Sequence, residues 1–384
     1  MSQLRVGAGL STDPDPVVAV RTAAATAAAG LGGESCDLAF VFVSPHHLAA
    51  MPIVLAALHE ALTPGAVLGC SGLWIVGGDR EVEDSPAVSI WAGHLPGTTV
   101  TPFALDYDQT PDGDAFLGWP DEIPEGATAV AIADPFTFPA DAWLGGLNDV
   151  HPGLLVIGGL ASGGNAPGAN RLIKDNEILA GGCIGALISG RVSVRALVSQ
   201  GCKPVGVPYA VTAAERNVLL ELAGQPPLDR VRETFASADE VDRHAMQTGL
   251  HVGRVVNPYK ADFARGDFLV RNVLGADEQS GALAVGDQVA VGETIQFHVR
   301  DAASADTDLR TMVSSVERPG GALMFTCNGR GSRLFGAPDH DAGVVCGTFG
   351  VPLAGFFCAG ELGPVGGRNF LHGFTASLAL FYES

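Results

Sequence analysis

One order of elements, strand, helix, strand, strand, occurs three times along this chain, and the recurrence constrains the fold more than any single motif. In the first copy, residues 37–43 form a near-continuous apolar run of the kind covered on both faces, closed by Ser44-Pro45. A helix follows with Leu55, Leu58 and Leu62 at helical spacing, and Pro52 fits only in its first turn. Strands at 66–69 and 87–92 flank a Gly-rich, acidic hairpin region. The second copy has strands at 129–133, 154–158 and 183–188 and a helix from near Pro139. The third has strands at 323–327, 353–358 and 374–381, with helical residues at 341–349.

The glycine corners of the copies match in character: Gly69-Cys70-Ser71-Gly72, Gly158-Gly159-Leu160-Ala161-Ser162-Gly163 and Cys358-Ala359-Gly360-Glu361. The expected fold class is therefore α/β (α+β): βαββ units whose mixed or antiparallel sheets are covered by helices in helix-sheet-sheet-helix layers. Ahead of the first copy, Thr12 or Asp13 before Pro14 and Pro16 starts an Ala-rich helix that ends at Gly30. The rhythm changes near Gln200-Gly201, which predicts domains at 1–200 and 201–384.

Between the second and third copies, 228–237 and 239–247 read as helices. Strands are predicted at 250–256, 267–274, 288–291 and 294–299, then a helix at 306–316. Thr212-Ala213-Ala214-Glu215 has the form of a capping box, which alone would start a helix. Gly224-Gln225-Pro226-Pro227 is turn chemistry that suits a hairpin strand equally.

Charge excludes two partner classes. The 42 acidic residues outnumber 22 basic ones, only three of them lysines, and the net charge is −20. Phosphate backbones and anionic lipids need clustered Lys and Arg, so neither nucleic acid nor membrane is expected. No apolar run reaches the roughly 18–20 residues of a bilayer span. The seven cysteines are odd in number and form no Cys-x-x-Cys pair, which fits a reducing compartment, and a cytoplasmic location is expected.

The chemistry-bearing residues concentrate in the third copy. The turn Cys327-Asn328-Gly329-Arg330-Gly331 ends an apolar strand, and its glycines let a ligand approach a guanidinium able to fork onto a carboxylate. Glu361 would take an amino group, giving the two-ended recognition of an amino acid; an internal Arg330 to Glu361 ion pair explains the same residues without a ligand. Asn328, Gly360 and His372 are expected to line the site. A competing reading is a thiol-dependent amide or ester hydrolase, with Cys358 or Cys327 as nucleophile, His372 as base and Glu361 as orienter. Metal binding is not expected: His46-His47 are adjacent and His340-Asp341 lacks a third ligand. Residues 158–168 lack the Gly-Lys-Ser/Thr ending of a phosphate loop and read as a hairpin loop, so no cofactor is implied.

The series Gly69-Cys70-Ser71-Gly72, Gly158-Gly159-Leu160, Thr212 to Pro227, Phe325 to Gly331 and Gly355 to Pro364 resembles the FIST family, an N-terminal followed by a C-terminal FIST domain. The resemblance implies a sensory module that binds a small ligand such as an amino acid or small carboxylate and signals through a protein partner. It also implies a β-hairpin at 212–227, and, with no kinase, receptor or cyclase sequence attached, a sensor without its own output. An adaptor that binds only protein is a third reading. The chain departs from many relatives where Leu73-Trp74-Ile75 replaces a Gly-Glu pair.

Overall fold

Side chains of the strand Leu38–Val43 alternate between two cores. Leu38, Phe40 and Phe42 enter one cluster, while Ala39, Val41 and Val43 enter another beneath the helices Pro16–Leu31 and Met51–Leu62. The same alternation recurs in Thr128–Ala133, where Val130 and Ile132 join the shared cluster and Ala129 and Ala131 face the helix Ala140–Val150. In Gly321–Cys327 it recurs again, with Leu323 and Phe325 inward and Ala322 and Met324 toward the helix His340–Phe349. A strand apolar on both faces needs cover on both, and here one cover is a helix and the other is two further sheets. The fold class is α+β in this computed structural model, which describes residues 3–111, 113–260 and 262–383. Between any two sheets the layers run helix, sheet, sheet, helix, and the third sheet makes the shared core three-sided.

Each sheet is completed by a hairpin from another copy. Strands Ile75–Gly77 and Arg80–Val82, from the first copy, close the edge of the third copy's sheet, with Ile75 opposite Phe356. Strands Leu172–Lys174 and Glu177–Leu179, from the second, join the first copy's sheet, with Leu172 opposite Cys70. Strands Glu361–Val365 and Arg368–His372, from the third, join the second copy's sheet, with Glu361 opposite Gly159. The exchange is cyclic. It explains why the chain groups into one unit running through Val198, then Leu309–Leu371 and from Thr375 onward, and a second made of Ser199–Asp308 and His372–Phe374. The expected division was 1–200 and 201–384.

The second unit is a closed six-stranded barrel with the helices Pro227–Ser237 and Glu240–Thr248. Residues 202–222 form the hairpin Cys202–Glu215 and Val218–Leu222, so the capping-box pattern at Thr212 does not start a helix. Arg216 takes the left-handed turn position, at φ 54°.

Several expectations need correction. Residues 288–291 are irregular, and the strand lies at Leu283–Val285. The loop after Gly158-Gly159 is not a hairpin: it carries the chain from Leu155–Leu160 in one sheet to Leu172–Lys174 in another. Asp15, not Thr12 or Asp13, caps the first helix, accepting from the backbone N–H groups of Val17 and Val18. An unexpected strand, Arg5–Ser11, explains why that helix is Ala-rich: a Cβ on Gly7 would lie 1.8 Å from the Ala27 carbonyl oxygen. Only small residues allow helix and strand to approach so closely.

Candidate functional site

At the carboxyl end of the parallel pair Gly321–Cys327 and Leu353–Cys358, the chain turns through Asn328 to Gly331. In open α/β sheets this end of the strands is where ligands bind. Asn328 N–H donates to the Cys358 carbonyl at 2.9 Å, and Arg330 N–H to the Cys327 carbonyl at 2.8 Å, so the turn is held to both strands. Gly331 sits at φ +60°, and a Cβ there would lie 2.5 Å from Oε1 of Glu83. Glycine is required at this position by conformation and by space.

The turn drives Arg330 into the protein, where its side chain is fully buried. Its Nε and Nη2 donate to Oδ2 and Oδ1 of Asp341 at 2.6 and 2.8 Å. Asp341 also accepts from Thr326 Oγ1 and pairs with His340 Nδ1, both at 2.9 Å. The Phe335 ring stacks on His340 with centroids 3.4 Å apart and lies 5.3 Å from the guanidinium carbon. Burial alone would raise the Asp341 carboxyl, but the Arg330 charge and its hydrogen bonds outweigh that and hold it well below the usual carboxylate range. A buried pair persists only when its geometry and extra hydrogen bonds offset desolvation, and this one has a bidentate fork and two further partners.

The first copy's hairpin supplies the facing carboxylates. Glu81 is 2% exposed; its Oε1 accepts from Ala342 N–H at 3.0 Å, and its own N–H donates to Asp339 Oδ1 at 2.6 Å. Burial first, then the Asp341 charge, push Glu81 up to about 7, against the opposing pull of the Ala342 N–H, Arg330 and His340. Glu83 accepts from the N–H of Ser332 at 2.8 Å and from its hydroxyl. Three buried polar atoms here have no hydrogen-bond partner among the described residues: Arg330 Nη1, Asn328 Oδ1 and Glu81 Oε2. Of these three residues Glu81 lines a cavity of about 580 Å³, whose other lining residues include Thr12, Arg80, Glu83, Ser332 and Asp339.

Of the residues singled out from sequence, Arg330 and Asn328 share this turn. Glu361 is fully buried, accepts from Thr375 N–H at 3.2 Å and Oγ1 at 2.8 Å, and its charge acts on Arg330. The carbonyl of buried Gly360 accepts from Leu160 N–H at 2.8 Å. His372 is buried and groups with the second unit. Cys358 is fully buried, its Sγ directed to the Phe356 carbonyl at 3.6 Å, and burial pushes its thiol well above the ordinary range. A thiol so placed is not an activated nucleophile.

Asp341 and Glu81 escaped the sequence reading. Asp341 stood beside His340 as an incomplete metal pair, although its place in the first turn of a helix after an arginine-bearing turn was a usable signal. Glu81 lay in an acidic hairpin whose partner strand is remote in sequence. Among the described residues, no group of three or more His, Cys, Asp and Glu is arranged to hold a metal ion, and no helix is long and apolar enough to cross a membrane.

Comparison with known proteins agrees with this architecture. Residues 37–225 match the FIST N domain and residues 227–364 the FIST C domain. An uncharacterized protein of Mycobacterium tuberculosis is 43% identical over 99% of this chain and 100% of its own length. A second, of Mycobacterium bovis, is 42% identical over 99% of each. Among solved structures, that of PurLQS from Thermotoga maritima aligns with 99% of this chain and 72% of that one, at 10% identity and a TM-score of 0.22. On the two domain matches and the full-length relatives, the chain belongs to the FIST family, whose domains are generally sensory, ligand-binding modules of signalling.

Proposed function

We propose that this protein is a sensor that binds a small polar ligand beside the turn 328–332 and passes the event to a protein partner. The observation that carries the reading is the cavity lined by Glu81, whose Oε2 is unsatisfied, and by Ser332, which follows the turn where Arg330 Nη1 and Asn328 Oδ1 are unsatisfied. Buried polar groups left without partners are rare, and a ligand that supplies them removes their desolvation cost. Arg330 contributes Nη1, since Asp341 occupies Nε and Nη2, and the charge of Glu361 acts on the same guanidinium. Asp341 ties the turn to the start of the helix His340–Phe349, and Glu81 ties that helix start to the hairpin, so a ligand that pulls on Arg330 or Glu81 biases that helix.

A thermal-shift panel of amino acids, small carboxylates and small amines tests the reading. A ligand at a hundred times its Kd stabilises the folded state by about 2.7 kcal/mol. Asn328→Ala should abolish the shift while leaving the unliganded melting temperature nearly unchanged. A panel that shifts nothing, or a shift that Asn328→Ala leaves whole, removes this site.

A further inference from the structure

The wall of the same cavity carries three carboxylates, Glu81, Glu83 and Asp339, against one guanidinium, Arg80. Two of the three have both oxygens engaged, and Glu81 has one, on the Ala342 N–H. Glu83 holds the backbone and hydroxyl of Ser332, and Asp339 accepts from Glu81 N–H and faces Arg80 at 3.5 Å. Glu81 keeps Oε2 without a donor, although the residue is almost wholly buried. The groups suited to an anion are less available to the cavity: Arg330, with Nε and Nη2 on Asp341, does not line it, and Arg80 faces Asp339. What the cavity lacks is a cation with N–H donors. A charged donor forms the stronger hydrogen bond and answers the net negative wall.

We propose that the cavity receives a small organic cation, a primary ammonium compound that needs no carboxylate, with Glu81 as its counter-ion; this rests on the sensor reading above. The groups facing Glu81 are Asp341 and His340 on the helix, Asp339 before it, Arg330 on the turn, and Arg80 and Glu83 on its own segment. Among them Glu81 titrates near neutrality, so an arriving ammonium draws it into the ionised form and its proton passes to solvent. Binding therefore strengthens as pH rises from 6 to 8 and is accompanied by proton release.

Putrescine is a suitable probe, with glutarate and glutamate as carboxylate-bearing controls, each titrated into the full chain by calorimetry in two buffers of different ionisation enthalpy and by thermal shift. Putrescine should raise the melting temperature more at pH 8 than at pH 6 and release protons, and Glu81→Gln should weaken its binding at least tenfold. Arg80→Ala, which removes the one positive charge of the wall, should strengthen it several-fold. A putrescine shift retained in Glu81→Gln reports only screening of the acidic surface and overturns the proposal. Should Glu81→Gln not fold, unchanged or weaker putrescine binding in Arg80→Ala overturns it equally. If a carboxylate binds and putrescine does not, the cation assignment falls and the sensor stands. If no probe and no member of the wider panel binds, both fall.

Discussion

The corner after Cys327 and the corner after Ala133 occupy corresponding places in two copies of one unit, yet they bury opposite chemistries. After Ala133, fully buried Asp134 is satisfied by neutral donors: Asn170 Nδ2 at 2.9 Å, Thr137 Oγ1 at 2.8 Å and Phe136 N–H at 3.2 Å. After Cys327, a guanidinium and its carboxylate are buried together, a second carboxylate faces them, and three polar atoms stay unsatisfied. A corner that only has to turn the chain closes its hydrogen bonds. The one that does not close is where unspent interaction energy is available to a ligand.

The largest test of that contrast is Asp341→Ala, which leaves the Arg330 charge buried without its counter-ion. Removing one partner of a buried pair costs about 3–5 kcal/mol. Urea denaturation at neutral pH should show a loss of that size. A loss below about 1 kcal/mol would mean that water reaches Arg330 and that the corner is not closed to solvent.

Next in size is the pH dependence of Glu81. Its folded pKa lies above the unfolded value, so its contribution to stability is fully present below about 4.5 and is lost as pH rises through about 7. Glu81→Gln should therefore be more stable than the parent at pH 8, by up to about 3 kcal/mol, and the gap should close toward pH 5. Asp341 works in the other direction, with stability present above its unfolded pKa and lost as pH falls below it. The two arms are separable in one series of melts, because only the neutral one vanishes in Glu81→Gln. A gap that stays constant from pH 5 to 8 would assign the effect to packing rather than ionisation.

Much of this architecture is legible in the amino-acid order, because local periodicity writes it. The strand at 37–43 and its counterparts after 129 and 323 are legible as doubly covered strands, and the glycine corners show that they repeat. The exchanged hairpins are not legible: Ile75 pairs with Phe356, and no local pattern names a partner so remote. That one pairing brings Glu81 to Asp341 and makes the site. Arg330 stands out as a lone cation among glycines, but its burial depends on where the turn points. The helix Pro16–Leu31 is legible as Ala-rich, but the reason for its alanines lies in the close approach of Gly7 and Gly9, which the local pattern does not show.

The smallest effect expected is at the closed corner. Asp134→Ala removes an acceptor from three neutral donors, and donors left unsatisfied in the interior cost about 1–3 kcal/mol. No ion is stranded, so the loss should fall below that of Asp341→Ala measured under the same conditions. Nor should the variant alter any ligand-induced shift, since Asp134 lies in a different sheet's corner and does not line the cavity. A double variant with Asp341→Ala should show additive losses, as sites without shared partners usually do within about 0.5 kcal/mol. Clear non-additivity would instead show that the three corners communicate through the common core that all three sheets enclose.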